Sequence, residues 1–266
     1  MLSESGDPSS LDMRNLKIVL AYDGSDFCGW QVQPDRQSIQ GTLSHAIGRI
    51  TNENVLPQGS GRTDAGVHAL AQVATFTIKS SIPVENLVKA LNDVLPASIR
   101  ILEVTEKPFD FHARKSARAK TYRYRIYRGT ICSPFLARYM WHYPYPLNTN
   151  EMARAARFVI GEHDFTSFAA VDPERSSPDR SHDRIESNVR RILDSSWTQE
   201  DDELIYTVRG SGFLHHMVRN LVGTFLRIGK GTLDPEDISR ILQARNRSAA
   251  GATAPASGLY LVTVEY

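Results

Sequence analysis

The sequence predicts an α+β fold: two ferredoxin-like halves, each ordered β-α-β-β-α-β, sharing one mixed, mainly antiparallel sheet with flanking helices. Three observations predict it. Segments with apolar residues at every second position are interleaved with segments whose apolar residues recur every three to four positions, so strands and helices alternate. The same order of elements occurs twice, although no stretch of sequence repeats. A length of 266 residues, 41% of them hydrophobic, accommodates one large domain or two smaller ones around a packed core.

In chain order, residues 1–15 are rich in Ser, Asp and Glu and lack an apolar signal core, so they read as a disordered tail. Leu16–Tyr22 reads as a strand. Ser38 opens a helix with Ile39, Leu43, Ile47 and Ile50 on one face. A short strand precedes a glycine-punctuated loop. Ala71–Lys79 then alternates, with Ala74, Phe76 and Ile78 on one side. Val84–Leu95 carries the stripe Leu87, Val88, Leu91 and Val94, and Ile99–Thr105 is a further strand. These make a first half over residues 16–110.

The second half, residues 111–266, begins with the strand Ala119–Tyr127 and the helix Glu151–Ile160. Asp172–Ser187, crowded with Ser, Pro, Asp and Arg, reads as a long loop. Val189–Trp197 and Leu204–Arg209 pair around the polar turn Gln199–Asp202. Phe213–Ile228 is a long helix with Met217, Leu221, Phe225 and Ile228 in line, and Pro235–Leu242 a shorter one. Ser248–Ser257 turns into the closing strand Leu259–Val264.

Composition narrows the function classes. There are 31 basic and 30 acidic residues, so any nucleic-acid surface has to be local. Two distant cysteines, Cys28 and Cys132, form neither a disulfide framework nor a zinc pattern, which fits a reducing cytoplasm. No apolar run is long enough to span a bilayer. The expectation is a soluble, cytoplasmic protein.

Four features carry chemistry. Residues 61 to 69 read GRTDAGVHA and follow Gly59-Ser60, setting Asp64 on a tight, glycine-framed loop. Taken alone, such an aspartate also suits a turn that bonds its own backbone. From Phe111 to Arg128, seven basic residues (Arg114, Lys115, Arg118, Lys120, Arg123, Arg125 and Arg128) interleave with Tyr122, Tyr124 and Tyr127, and no acid occurs between Asp110 and Glu151. That pattern suits an RNA-contacting segment, cations for phosphates and aromatic faces for bases. It equally suits a strand with one solvated charged face and one buried tyrosine face. The third feature, GFLHHMVRN at 212 to 220, places His215 and Arg219 four apart on one face of the long helix, from which Arg219 can reach a carboxylate on another element. Its adjacent histidines point about 100° apart on a helix and are poorly set to chelate one ion. The fourth is Tyr22-Asp23-Gly24 with Phe27, Gly29 and Trp30: a turn signal followed by a packing anchor.

Together the blocks YDGSDFCGWQ, GRTDAGVHALAQVATF, FHARKSARAKTYRYRI, GEHDFTSF, GFLHHMVRNLVGT and TAPASGLYLVTVEY closely resemble, in order and from Leu16 to Tyr266, the TruA family of tRNA pseudouridine synthases. The resemblance implies the pseudouridine synthase fold and an isomerase. Such an enzyme cuts the N1–C1′ bond of a uridine, turns the uracil and rejoins it through C5, at nucleotides 38, 39 and 40 of the tRNA anticodon stem-loop. It implies no metal, no cofactor and no energy source, and a homodimer whose tRNA touches both subunits. Residue by residue, it makes Asp64 the nucleophile, attacking C6 of the uracil or C1′ of the ribose. Arg219 is its ionic partner, which favours the charged carboxylate. Tyr122 stacks on the base and is a candidate to take the C5 proton. Arg62 is linked to flipping the target from the helix, and Leu259 lines the pocket. Arg114 and Lys120 belong to the expected RNA contacts. Two departures stand out: Ala71 where the family usually has glycine, which would matter at a positive φ, and a longer polar loop at 172–187.

Two other classes predict different behaviour. An RNA-binding protein that keeps the fold without the chemistry has no need for an intact Asp64, Arg62 and Tyr122. A metal-dependent nuclease or phosphodiesterase built on His68, His215 and His216 loses activity with a chelator, whereas the isomerase is indifferent to EDTA apart from effects on tRNA folding.

Overall fold

The computed structural model describes residues 13–171 and 187–266. Most of the expected tail and nearly all of the expected loop at 172–187 therefore lie outside the described residues. The chain divides into two compact units, one of residues 13–65 and 69–117, the other of Gly66–His68 and Arg118–Tyr266.

The first unit contains β1 (Arg14–Tyr22), α1 (Ile39–Thr51), β2 (Gln58–Gly59), β3 (His68–Ile78), α2 (Val84–Val94) and β4 (Ile99–Lys107). Its strands lie in the order β4-β1-β3-β2, each antiparallel to its neighbours. The side-chain period of two puts Leu16, Ile18, Leu20 and Tyr22 on one face of β1, and all four are buried. Phe76, Ala74 and Gln72 stand opposite Leu16, Ile18 and Leu20 in β3. Ile39, Leu43 and Ile47 of α1 and Leu87 and Leu91 of α2 are fully buried in the same core. Ser38 caps α1 by accepting from the Gly41 amide at 3.2 Å, and Asn52, at φ 57°, ends it.

The second unit contains β5 (Ala119–Tyr127), the single turn α3 (Pro134–Ala137), β6 (Trp141–His142), α4 (Thr149–Arg157), β7 (Gly161–Asp164), β8 (Val189–Glu200), β9 (Glu203–Gly210), α5 (Met217–Gly229), α6 (Asp237–Ala244) and β10 (Leu259–Glu265). Its strands run β10-β5-β9-β8-β7, all antiparallel, with β6 parallel to β5 beyond the end of β10. In both units the last long strand lies beside the first, the third beside the first, and the second beyond the third. The expected α+β class and repeated order hold, and β6 and β7 are additions too short to show a period. Among the described residues no helix is long and apolar enough to cross a membrane.

One boundary differs from the sequence pattern in a way that matters. The long helix begins at Met217, not Phe213, because His216 adopts the left-handed region at φ 58° and interrupts the helix there. His215 therefore precedes α5, and the expected helical face shared by His215 and Arg219 does not exist.

Candidate active site

The loop that carries Asp64 is held from beneath by buried groups of the first unit. Trp30 donates its backbone N–H to the Thr63 carbonyl at 3.0 Å. The residue before it, Gly29, has φ 88°, and a Cβ there would lie 2.6 Å from the Thr63 oxygen, so only glycine allows this approach. Gly59 performs the same service for the Trp30 ring, which would meet a Cβ at 2.6 Å. Both glycines explain the Gly-Trp of the fourth sequence feature: it is the floor of the loop.

Three side chains complete the anchorage. Gln72, fully buried on the core face of β3, accepts from the Ser60 hydroxyl at 2.7 Å and from the Val73 amide at 3.1 Å, and donates to the Gly61 carbonyl at 3.0 Å. The Tyr22 hydroxyl lies 2.8 Å from the Thr63 hydroxyl. Ser60 also donates its backbone N–H to Val73 at 2.7 Å. Burial pushes the Tyr22 phenol up to about 12, with hydrogen bonds to Thr63 and Gln72 partly offsetting it. On this frame Asp64 is half-buried, Arg62 exposed, and Ala65-Gly66 make the turn, Gly66 at φ 78°. Ala71 lies within β3 and is not among the residues of positive φ, so alanine suits its backbone.

Arg114, the remaining candidate of the first unit, is exposed just beyond Ala113, whose amide donates to the Thr75 hydroxyl at 3.2 Å.

In the second unit Tyr122 is central in β5, opposite Leu261 of β10 and Val208 of β9. Its ring meets the edge of Phe213 at 4.8 Å and 74°. Leu259, buried, opens β10 opposite Tyr124. Arg219 projects from the first turn of α5, and its Nε donates to the Ala254 carbonyl at 2.7 Å, which fixes the plane of the guanidinium. Tyr124 donates to the next carbonyl, Pro255, at 2.8 Å. The chain entering β10 is thus tied to both the strand of Tyr122 and the helix of Arg219.

Behind Arg219, Asn220 is fully buried and donates to Phe168 O at 2.7 Å, while its carbonyl accepts from Arg247 at 2.9 Å and Thr253 at 2.7 Å. Gly223 lets the 250s segment lie against α5, since a Cβ there would sit 1.7 Å from Ala252 O.

The basic run resolves along β5. Tyr122, Tyr124 and Ile126 point to the buried face, while Arg123 is exposed and Lys120 half-buried. Arg125 forms a two-pronged ion pair with Glu203, and Arg209 of β9 does so with Glu265 at 2.7 and 2.6 Å. His68, by contrast, is a buried anchor: its ring stacks on Tyr260 at 4.8 Å, and its Nε2 lies 3.1 Å from Arg138 O. The His215 Nδ1 lies 3.2 Å from Val171 O.

Sequence reasoning missed Gln72, Asn220 and Arg247, and read Tyr22 only as part of a turn signal. Gln72 and Asn220 did leave a signal. One is a polar residue in register with Ala74, Phe76 and Ile78, the other falls on the Met217–Leu221 stripe, and a polar group at a core position demands partners.

A family model described as tRNA pseudouridine synthase matches residues 18–114 and 155–266, and the chain belongs to that family. Its relatives are consistent in kind. It is 51% identical to tRNA pseudouridine synthase A of Solibacter usitatus (strain Ellin6076) over 96% of this chain and 100% of that one. The protein of the same name from Moorella thermoacetica is 47% identical over 94% and 99% of the two chains. That from Halalkalibacterium halodurans is 44% identical over 93% and 90%.

Proposed function

We propose that this protein isomerises uridine to pseudouridine in tRNA, at nucleotides 38, 39 and 40 of the anticodon stem-loop, with Asp64 as nucleophile. The observation that carries the proposal is the intact GRTDAG loop, braced by buried groups, in a chain similar over nearly its whole length to tRNA pseudouridine synthases A. A carboxylate on a braced loop suits covalent catalysis: addition to C6, or displacement of uracil from C1′, splits glycosidic exchange into easier steps.

The other residues divide the remaining work. Arg219 serves as the cationic counterpart that the family resemblance assigns to the Asp64 carboxylate. Tyr122 stacks on the uracil and removes the C5 proton after reattachment. Leu259 is an apolar wall that retains the detached base. Exposing a stacked stem nucleotide costs a few kcal/mol; Arg62 occupies the vacated place, and phosphate contacts from residues such as Arg114 and Lys120 offset the cost. The scheme uses no metal and no cofactor, runs in the cytoplasm, and employs a homodimer.

The test is incubation with an unmodified tRNA transcript carrying uridines at 38, 39 and 40, followed by chemical labelling and primer extension. Wild-type protein should form pseudouridine there with or without EDTA, and Asp64→Asn should form none. Tight tRNA binding without pseudouridine would instead indicate a binding protein or a different RNA target, and loss of activity with EDTA on tRNA that remains folded would indicate a metal enzyme.

A further inference from the structure

We propose that Tyr22 and Gln72 are positioning residues that set the Asp64 carboxylate through Thr63 and Gly61. The inference rests on the reading of Asp64 as nucleophile and extends it to residues that touch no substrate. Residues 60, 61 and 63 are each pinned by a side chain: Ser60 and Gly61 by Gln72, Thr63 by Tyr22. Thr63 is held at two points, its carbonyl by Trp30 N–H and its hydroxyl by Tyr22. The pinning groups are buried almost completely: Gln72 and Ser60 0%, Trp30 2%, Tyr22 4% and Thr63 7% exposed.

A polar network this dry holds one geometry, because in low dielectric each broken bond leaves a costly unpaired group. Gln72 is a conspicuous expense for the core face of a strand, standing opposite Leu20, and a leucine or valine would pack there without partners. Its placement is explained if loop geometry is what it secures. Burial keeps the Tyr22 phenol protonated up to about 12, so the bond to Thr63 persists at any working pH. Displacement of a reacting group by about 1 Å can cost on the order of 100-fold in rate, so the bond acts on the chemical step rather than on tRNA binding.

The experiment compares wild type with Tyr22→Phe, Thr63→Val, the double variant and Thr63→Ser. Single-turnover rates and tRNA affinity are measured on an unmodified transcript, and hydrogen exchange of residues 61–67 on the free protein. Each of Tyr22→Phe and Thr63→Val should slow the reaction roughly 10- to 100-fold with affinity within about twofold. The double variant should be little worse than Tyr22→Phe alone, since both substitutions remove the Tyr22–Thr63 bond. Thr63→Ser, which restores the hydroxyl, should recover the rate. Unchanged rates in Tyr22→Phe, multiplicative losses in the double variant, or a Thr63→Ser rate no better than Thr63→Val would each overturn the proposal. If wild type itself makes no pseudouridine, the functional reading fails separately. Exchange then decides the anchoring: faster exchange of the loop in Tyr22→Phe supports it, and unchanged exchange overturns it.

Discussion

Gly29 and Thr63 meet backbone to backbone: the space a side chain would take at Gly29 is filled by the Thr63 carbonyl, 2.6 Å from an ideal Cβ. Gly29→Ala therefore combines that collision with a strained φ of 88°. It should destabilise the protein by about 2–3 kcal/mol, read as a lower thermal midpoint, and should displace Asp64 enough to slow pseudouridine formation more than tRNA binding.

Gly223→Ala should be the more damaging of the two. The new Cβ would lie 1.7 Å from Ala252 O, backbone that cannot rotate aside. Urea unfolding is expected to show a loss of about 3 kcal/mol or more, because the segment before β10 must lift from α5. A midpoint equal to that of wild type would contradict the observed packing.

Asn220→Ala removes one partner each from Phe168 O, Arg247 and Thr253, of which Arg247 and Thr253 keep the 3.2 Å bond between them. The buried Phe168 carbonyl is the group left short of a donor, at a cost of about 1–3 kcal/mol. Burial already lowers the Arg247 pKa from its ordinary value. Combining Asn220→Ala with Arg247→Leu should cost less than the sum of the single losses, measurable as a double-mutant cycle on chemical denaturation.

Alkaline stability should report Tyr22. Its folded pKa, about 12, exceeds the ordinary 10.0, so folding favours the protonated phenol. That contribution is fully present below pH 10 and is lost as pH rises from 10 towards 12, by about 2–3 kcal/mol. Tyr22→Phe should flatten this part of the curve. Tyr124 and Tyr206, also raised by burial, will contribute to the same limb in both proteins.

Period and punctuation carried most of this fold in the sequence. The alternation of Leu16, Ile18 and Leu20 and the stripe of Ile39, Leu43 and Ile47 are direct imprints of one-sided burial, so they are legible without coordinates. The strand Ala119–Tyr127 was recovered to the residue because its charges and tyrosines alternate. The start of α5 was not, since Phe213–His216 holds no glycine to mark a left-handed residue, and non-glycine residues as a class seldom adopt one, although histidine does so more often than most. At the candidate site, the residues of the reacting loop stood out as a motif. Their supports did not: the bonds of Gln72 to Ser60 and Gly61 join positions 12 and 11 apart, and that of Tyr22 to Thr63 joins positions 41 apart. Only the tertiary fold joins such positions.

The two-pronged grip of Glu203 on Arg125 changes what the basic run can contribute to RNA. A guanidinium already neutralised by a carboxylate neutralises no phosphate, and so releases no counterion from the nucleic acid. Each phosphate a protein does neutralise adds about 0.9 to the slope of log affinity against log salt on a duplex. Seven basic residues between 114 and 128 would thus overstate the sensitivity of binding to ionic strength. Added salt should weaken the complex less steeply than that count suggests, and Glu203→Gln should make it steeper.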